Sequence, residues 1–281
     1  MSISMLTNVT SLNAQQNLSN TQNALAQSIS RLSSGMRINN AADDAAGLGI
    51  SQGMQADIKS LGQAQRNTND AISLSQVAEG GMSQMQGIVS RMRELSVESS
   101  NSTLGTTERG YVQTEFKQLS KEIDRISSVT DFNGQKLLDG SASTGLTFQV
   151  GIKNTANDRL ALSITKLATT TLGSTSLHIG SASLSTATNA QAALAVFDVA
   201  IKQLSTARAN VGAVQNRMQV TVSNLSVTSQ NLTAANSRIT DVDIASETAN
   251  MTQHNILSQA GIAVLAQANQ LPSAALSLLR G

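Results

Sequence analysis

Residues 32–51, LSSGMRINNAADDAAGLGIS, hold the most suggestive chemistry in the chain: two adjacent carboxylates, Asp43 and Asp44, set among alanines and glycines. A carboxylate pair can share a proton in acid–base work or hold a metal ion, but either task needs both groups to face one point. Neighbouring side chains project about 100° apart on a helix and to opposite faces on a strand, so neither element brings this pair together. A helix start accounts for them instead. Asn40 is the expected cap, Ala41 and Ala42 begin the helix, and both acids fall in its first turn, beside free N–H groups and the positive end of the helix dipole. Arg31 and Arg37 are close enough in sequence to pair with them.

No other residue set makes a better centre. His178 and His254 lie far apart with no acidic or thiol partner at ligand spacing, which marks them as packing or incidental residues. Asp241 and Asp243 in TDVDIASE begin no complete calcium loop, and a helix cap at Thr240 or Asp241 is the commoner use of such residues. GLGISQG follows a helical segment and has the wrong spacing for a phosphate-binding fingerprint; Gly47, Gly49 and Gly53 are expected to admit a neighbouring backbone. With no Ser/His/Asp or Ser/Lys set and no cysteine, the expectation is a protein that is not an enzyme and carries no cofactor or metal.

The elements that must position these residues are long helices. Of 281 residues, 40% are hydrophobic but only 2% aromatic, and Pro272 is the single proline, so little interrupts a helix before the last ten residues. Nineteen basic residues against 18 acidic ones, with no basic run, give no case for nucleic acid. The first residues lack the basic and apolar regions of a secretory signal, and no apolar run is long enough to span a membrane; a soluble protein without a cleavable export signal is expected.

Charge is distributed unusually. Residues 1–30 and 248–279 contain no Asp, Glu, Lys or Arg, although the ends of a protein are ordinarily its solvated and charged parts. Both ends carry helical periodicity: Leu18, Leu25 and Leu32 stand seven apart with Ile29 and Met36 between and beyond them, and Ile256, Ile262 and Leu265 continue the pattern at the other end. Such helices need a partner.

A stricter repeat precedes the C-terminal segment. Phe197, Leu204, Val211, Met218, Leu225, Leu232 and Ile239 fall at seven-residue intervals, a coiled-coil seam, while the second seam position decays from Ile201 and Val222 to Ser229, Asn236 and Asp243. Partners for it come from the N-terminal half. Ile50, Met54, Ile58 and Leu61, then Ala78, Met82, Met85, Val89 and Met92, then Phe116, Leu119, Ile123 and Ile126, predict three helices over residues 41–129, with a turn at 99–110 and the Asn133-Gly134 turn closing them. Residues 146–165 alternate as a β-hairpin, and the Ser/Thr/Gly-rich stretch to about 190 predicts an exposed tip. The fold class is therefore mainly α: an elongated antiparallel helical hairpin, or coiled-coil bundle, with a small β-hairpin region and both termini at one end. Its expected divisions are 1–43 with 240–281 as a terminal coiled coil, 44–140 with 191–239 as a helical bundle, and 141–190 as its β tip.

LSSGMRINNAADDAAGLGIS and residues 235–280 closely resemble the two terminal regions of bacterial flagellins, and FNGQKLLDG at 132–140 and FQVG at 148–151 resemble flagellin motifs. The resemblance covers about residues 1–165 and 190–281 and implies a minimal flagellin without a large outer domain. It implies termini that coil together in the innermost layer of a helical filament, with self-association as the main partnership. It also implies export unfolded to an extracellular filament, and dealings with an export chaperone, a filament cap and hook–filament junction proteins. In the free monomer, residues 1 to about 40 and about 240 to 281 are expected to be disordered. In flagellins detected by a Toll-like innate receptor, an Arg, a Leu four residues on and a Glu on the next helix make the contact. Here those positions are Arg91, Leu95 and Glu115, with Ser90 standing where those flagellins have a Gln. The competing reading is a cytoplasmic coiled-coil scaffold or signalling hairpin, which would carry charges at its open end.

Overall fold

A computed structural model of the protein describes residues 7–174 and 177–280, with side chains as far as residue 270. The parts of the expected terminal coiled coil at residues 1–6 and 281, and residues 175–176 of the expected tip, lie outside it. The elements run α1 (Val9–Ser34), α2 (Ala45–Ser99), α3 (Thr106–Val129), β1 (Asp131–Phe132), β2 (Gln135–Lys136), β3 (Leu146–Gln149), β4 (Arg159–Leu162), α4 (Ala187–Thr240) and α5 (Ile244–Arg280). The fold is mainly α, with two small antiparallel hairpins. The two helices expected between residues 41 and 99 are one helix of 55 residues. Its glycines do not end it, because the apolar stripe continues in phase across Gly80 and Gly81 and packing outweighs their propensity cost of about 1 kcal/mol each.

The protein divides into two compact units, residues 59–229 and residues 1–58 with 230–281. The middle unit owns most of the core. Ala78, Met82, Met85, Val89, Met92 and Leu95 of α2 are buried against Val112, Phe116 and Ile123 of α3 and against Ala193, Phe197, Ala200 and Leu204 of α4. Phe116 and Phe197 meet edge to face with ring centroids 5.9 Å apart. Small polar residues let the helices approach: Ser96 Oγ donates to the Ala190 carbonyl at 2.7 Å, and Ser99 Oγ to the Leu184 carbonyl at 2.5 Å.

Both turn signals take the expected form. Asn133 and Gly134 adopt positive φ of 51° and 80° between β1 and β2, a type I′ hairpin turn. Phe148 pairs with Leu160, and Leu146 with Leu162, in the β3–β4 hairpin. The Ser/Thr/Gly-rich stretch is not an exposed tip. Leu172, Ile179 and Leu184 are fully buried and join the main core. The stretch is pinned by polar side chains of the helices: Asp124 accepts from Thr169 N at 3.0 Å and from Thr169 Oγ1 at 2.8 Å, and Gln203 brackets Gly173, accepting from its N–H and donating to its carbonyl. Gly173, at φ 127°, admits no side chain, since a Cβ would stand 2.7 Å from the Leu177 carbonyl oxygen.

Candidate functional site: the terminal helix pair

The junction around Asp43 and Asp44 shows how the terminal unit is tied. α1 ends at Gly35, which takes the left-handed conformation (φ 71°) and donates its N–H to the Arg31 carbonyl. The following residues bridge to the break between α4 and α5: Met36 pairs with Asp241, Arg37 N–H donates to the Thr240 carbonyl at 2.6 Å, and Val242 N–H to the Gly35 carbonyl at 3.1 Å. The Arg37 guanidinium donates to the Ile239 carbonyl at 2.8 Å instead of pairing with an aspartate.

The two carboxylates divide the work of the turn. The expected helix start at Asn40 is corrected: α2 begins at Ala45, and its cap is Asp44, whose Oδ1 accepts from Gly47 N at 2.8 Å. Asn40 lies in the preceding turn, its carbonyl accepting from Asp43 N. Asp43 Oδ2 reaches back to accept from Asn39 N and Asn40 N at 3.1 and 3.0 Å, and Oδ1 accepts from Gln27 Nε2 at 2.9 Å, with Arg31 at 3.8 Å. The Asn40 amide bond, the Gln27 and Asn39 bonds and the Arg31 charge together hold the Asp43 carboxyl below its ordinary range. A charged group four residues past Asn40 is the stronger cap, so the backbone makes an extra turn before the helix. Gly47 is the glycine a close approach requires, with Ile38 Cδ1 2.8 Å from a Cβ built there; Gly49 and Gly53 meet nothing within 4 Å. On the other strand of the junction the cap is likewise shifted, to Asp243, whose Oδ1 accepts from Ala245 N and Ser246 N at the start of α5.

From this junction α1 and α5 run antiparallel, Asn8 Nδ2 donating to the Ala268 carbonyl and Ser11 Oγ to Asn269 Oδ1, both at 2.8 Å. The seam of α1 runs through Ser11, Ala14, Leu18, Thr21, Leu25, Ser28 and Leu32, alternating three and four apart, with Ala24 and Arg31 half-buried beside it; that of α5 runs through Glu247, Met251, His254, Ser258, Gly261, Leu265 and Ala268 in the same rhythm. Leu18, Leu25, Leu32 and Leu265 therefore lie on the seam. Ile29, Met36, Ile256 and Ile262 do not: they are 50%, 42%, 61% and 55% exposed, and Thr21 and Ser28 are among the covered positions of α1 instead. Sequence reading missed Gly261, on which a Cβ would stand 3.2 Å from Leu18 Cδ1, and missed the seam place of His254 and Glu247. The signal was their shared three-four spacing with Leu265.

The outer face of the pair is largely uncharged and carries large apolar side chains among its asparagines, glutamines and serines. Val9, Leu12 and Ile29 of α1 and Ile256, Leu257, Ile262 and Val264 of α5 are all about half exposed or more. Among the described residues of this unit only Ile38 and Ala268 are buried apolar side chains. Large apolar side chains therefore lie on both faces, and the seam mixes leucines with Ser11, Thr21, Ser28, Ser258 and Gly261, so the pair leaves much apolar surface uncovered.

The remaining residues singled out by sequence lie elsewhere. Phe197, Leu204, Val211 and Met218 are fully buried inside the middle unit, whereas Leu225, Leu232 and Ile239 are half-buried. Arg91 Nε donates to Glu115 Oε1 at 2.9 Å across α2 and α3, and Glu94 pairs with the same guanidinium, an exposed network that raises the Arg91 pKa. Leu95 is 1% exposed, so the surface contact implied for it is corrected: its place on α2 faces the core, and only Arg91 and Glu115 are accessible.

Comparison with known proteins identifies the family. Residues 5–143 match the bacterial flagellin N-terminal helical region and residues 194–279 the bacterial flagellin C-terminal helical region. A flagellin of Halalkalibacterium halodurans is 44% identical over 273 residues, covering 97% of this chain and 98% of that protein. The flagellar filament 33 kDa core protein of Treponema phagedenis is 38% identical over 285 residues, with the same coverage of each. The crystal structure of Bacillus cereus flagellin superposes with a TM-score of 0.49 at 29% identity, over 61% of this chain and 94% of that one. The chain belongs to the bacterial flagellin family.

Proposed function

We infer that this protein is the structural subunit of a helical bacterial flagellar filament and polymerises through its terminal helices. It is a structural protein of motility, not an enzyme. The observation that carries the assembly route is the outer face of the α1–α5 pair, uncharged and lined by half-exposed Leu12, Ile29, Ile256 and Ile262. Solvent is a poor neighbour for such a face, and helices of further copies would cover it without burying an unpaired charge. A cytoplasmic scaffold or signalling hairpin gains no support from it, since that reading needs charged, solvated ends.

The same stripes are what an export chaperone would cover before assembly, and what a filament cap and hook–filament junction proteins would meet at the growing end. The protein's place is the extracellular filament, reached by export through the flagellar apparatus. Contact with a Toll-like innate receptor rests on the exposed Arg91–Glu115 pair alone.

Seeded growth tests the assembly route. Heat-dissociated protein is added to sheared filament fragments and elongation is followed by light scattering and electron microscopy. Wild-type protein elongates the seeds, and Ile262→Asp, which leaves the neighbouring seam residues Gly261 and Leu265 intact, does not. Elongation of Ile262→Asp at the wild-type rate overturns the terminal-helix route. Removal of residues 271–281 is expected to abolish growth in the same assay.

A further inference from the structure

The β1–β2 hairpin turns on Asn133 and Gly134, the only Asn-Gly pair in the sequence. Both residues are exposed. We propose that Asn133 is a self-modification site: in the unfolded protein it cyclises with Gly134 and deamidates, and closure of the hairpin shuts the reaction off.

The chemistry needs only water. The Gly134 backbone nitrogen gives its proton to solvent base and bonds to Asn133 Cγ, while the bond from Cγ to Nδ2 breaks and Nδ2 leaves, protonated, as ammonia. Water then opens the five-membered imide at one of two carbonyls. Opening at the carbonyl that was Asn133 Cγ breaks its bond to the Gly134 nitrogen and gives ordinary aspartate. Breakage between that nitrogen and the former backbone carbonyl gives isoaspartate, whose backbone runs through Cβ and Cγ. Glycine favours the attack because no Cβ obstructs its nitrogen.

The folded hairpin opposes each requirement of that ring. Cyclisation places the Gly134 nitrogen on the same side as Asn133 Cβ. A type I′ turn, with both residues left-handed at φ 51° and 80°, carries the nitrogen to nearly the opposite side. The Gly134 N–H also donates to Asp131 Oδ2 at 3.2 Å, which fixes its direction, and Lys136 stands 3.6 Å from the other oxygen of that carboxylate.

Conversion would not stay local. Isoaspartate inserts an extra backbone atom directly between Phe132 and Gln135, which pair across the turn. Leu137 and Leu138 follow immediately and are fully buried. Their backbone is held by Leu137 N–H to the Thr130 carbonyl at 3.2 Å, and the Leu138 carbonyl accepts from Leu167 N at 2.9 Å and Ser127 Oγ at 3.0 Å. A protein bearing isoaspartate at 133 cannot hold this pairing and seat both leucines together.

The test ages the purified full-length protein in mildly alkaline buffer, one arm folded and one in urea. Peptide mapping and labelling by an isoaspartyl methyltransferase read the products. The expected result is conversion at residue 133 faster in urea on the order of tenfold or more, tenfold being the effect of a local opening that costs about 1.4 kcal/mol. Asn101 and Asn236, each followed by serine, lag well behind in the same urea arm. Equal rates at 133 in the two arms, or no excess over the other asparagines in urea, overturns the proposal. On removal of urea, isoaspartyl protein is expected to remain protease-sensitive while Asn133→Asp refolds like fresh protein. Refolding of the isoaspartyl form to the same protection overturns the claim that the turn's backbone length seats Leu137 and Leu138.

Discussion

Asp43 and Asp44 sit side by side and do different jobs, and each can be probed alone. Asp44 caps α2 through Gly47 N, so Asp44→Ala is expected to destabilise the start of that helix by about 1 kcal/mol, while Asp44→Ser keeps an acceptor and most of the stability. Thermal dissociation of filaments built from each variant reads the difference. Asp43 closes the preceding turn as a charged acceptor, and its folded pKa lies below the ordinary carboxylate value. Its contribution to the junction is therefore complete above the unfolded carboxylate range and is lost as pH falls through the lowered folded pKa. In isotope-labelled filaments the Asn39 and Asn40 amide resonances are expected to titrate together at that lowered pH and to stay flat in Asp43→Asn. Movement of the two amides at the ordinary carboxylate pH would separate them from Asp43.

At the level of elements, the close packing of α1 on α5 rests on Gly261 facing Leu18. A side chain at 261 meets Leu18 Cδ1, at 3.2 Å from the first added carbon, and a β-branched one has no room to turn away along a helix. Gly261→Val is expected to stop seeded elongation, and Leu18→Ala in the same protein to restore part of it, because the added and removed volumes face each other. Independent, additive losses in the double variant would place the two residues apart. How legible such pairings were in sequence depended on what each helix buries. α4 was readable from Phe197 to Met218 because a strict heptad there faces a core inside the same molecule. The terminal helices carry two faces, and the apolar pattern mixed them: Leu18, Leu25, Leu32 and Leu265 mark the inner one, Ile29, Ile256 and Ile262 the outer one. Ile29, Ile256 and Ile262 are bulky residues that the protein leaves exposed, while Thr21, Ser28 and Gly261 share the covered side with the leucines. A search for large apolar residues alone cannot separate the two faces of such a helix, and it passes over the small residues at which the helices sit close. The same bias hid Leu172, Ile179 and Leu184, whose irregular spacing among serines and threonines has no period, and which are held in place by Asp124 and Gln203 from distant helices.

For the whole molecule, the two units divide stability unequally. Residues 59–229 bury nearly all the large apolar side chains, among them Phe197, Met82, Met85, Met92 and Leu95. The other unit orders α1, α5 and the ends of α2 and α4 with Ile38 and Ala268 as its buried apolar side chains among the described residues. Fixing a residue's backbone costs roughly 1–2 kcal/mol, and a small, partly polar seam recovers little of that for two long helices. On the proposed terminal-helix route, burial of Leu12, Ile29, Ile256 and Ile262 against further copies would supply what is missing, so the terminal unit is expected to gain its order on assembly. Hydrogen exchange measured on dilute monomer and on filament separates the two units. In monomer, amides of Leu18–Leu32 and Met251–Leu265 are expected to exchange nearly as fast as in unfolded protein, while those of Met82–Met92 and Phe197–Leu204 are protected. In filament both sets are protected. Strong protection of α1 and α5 in monomer would mean that their seam suffices, and that the outward isoleucines are dispensable for folding of the ends.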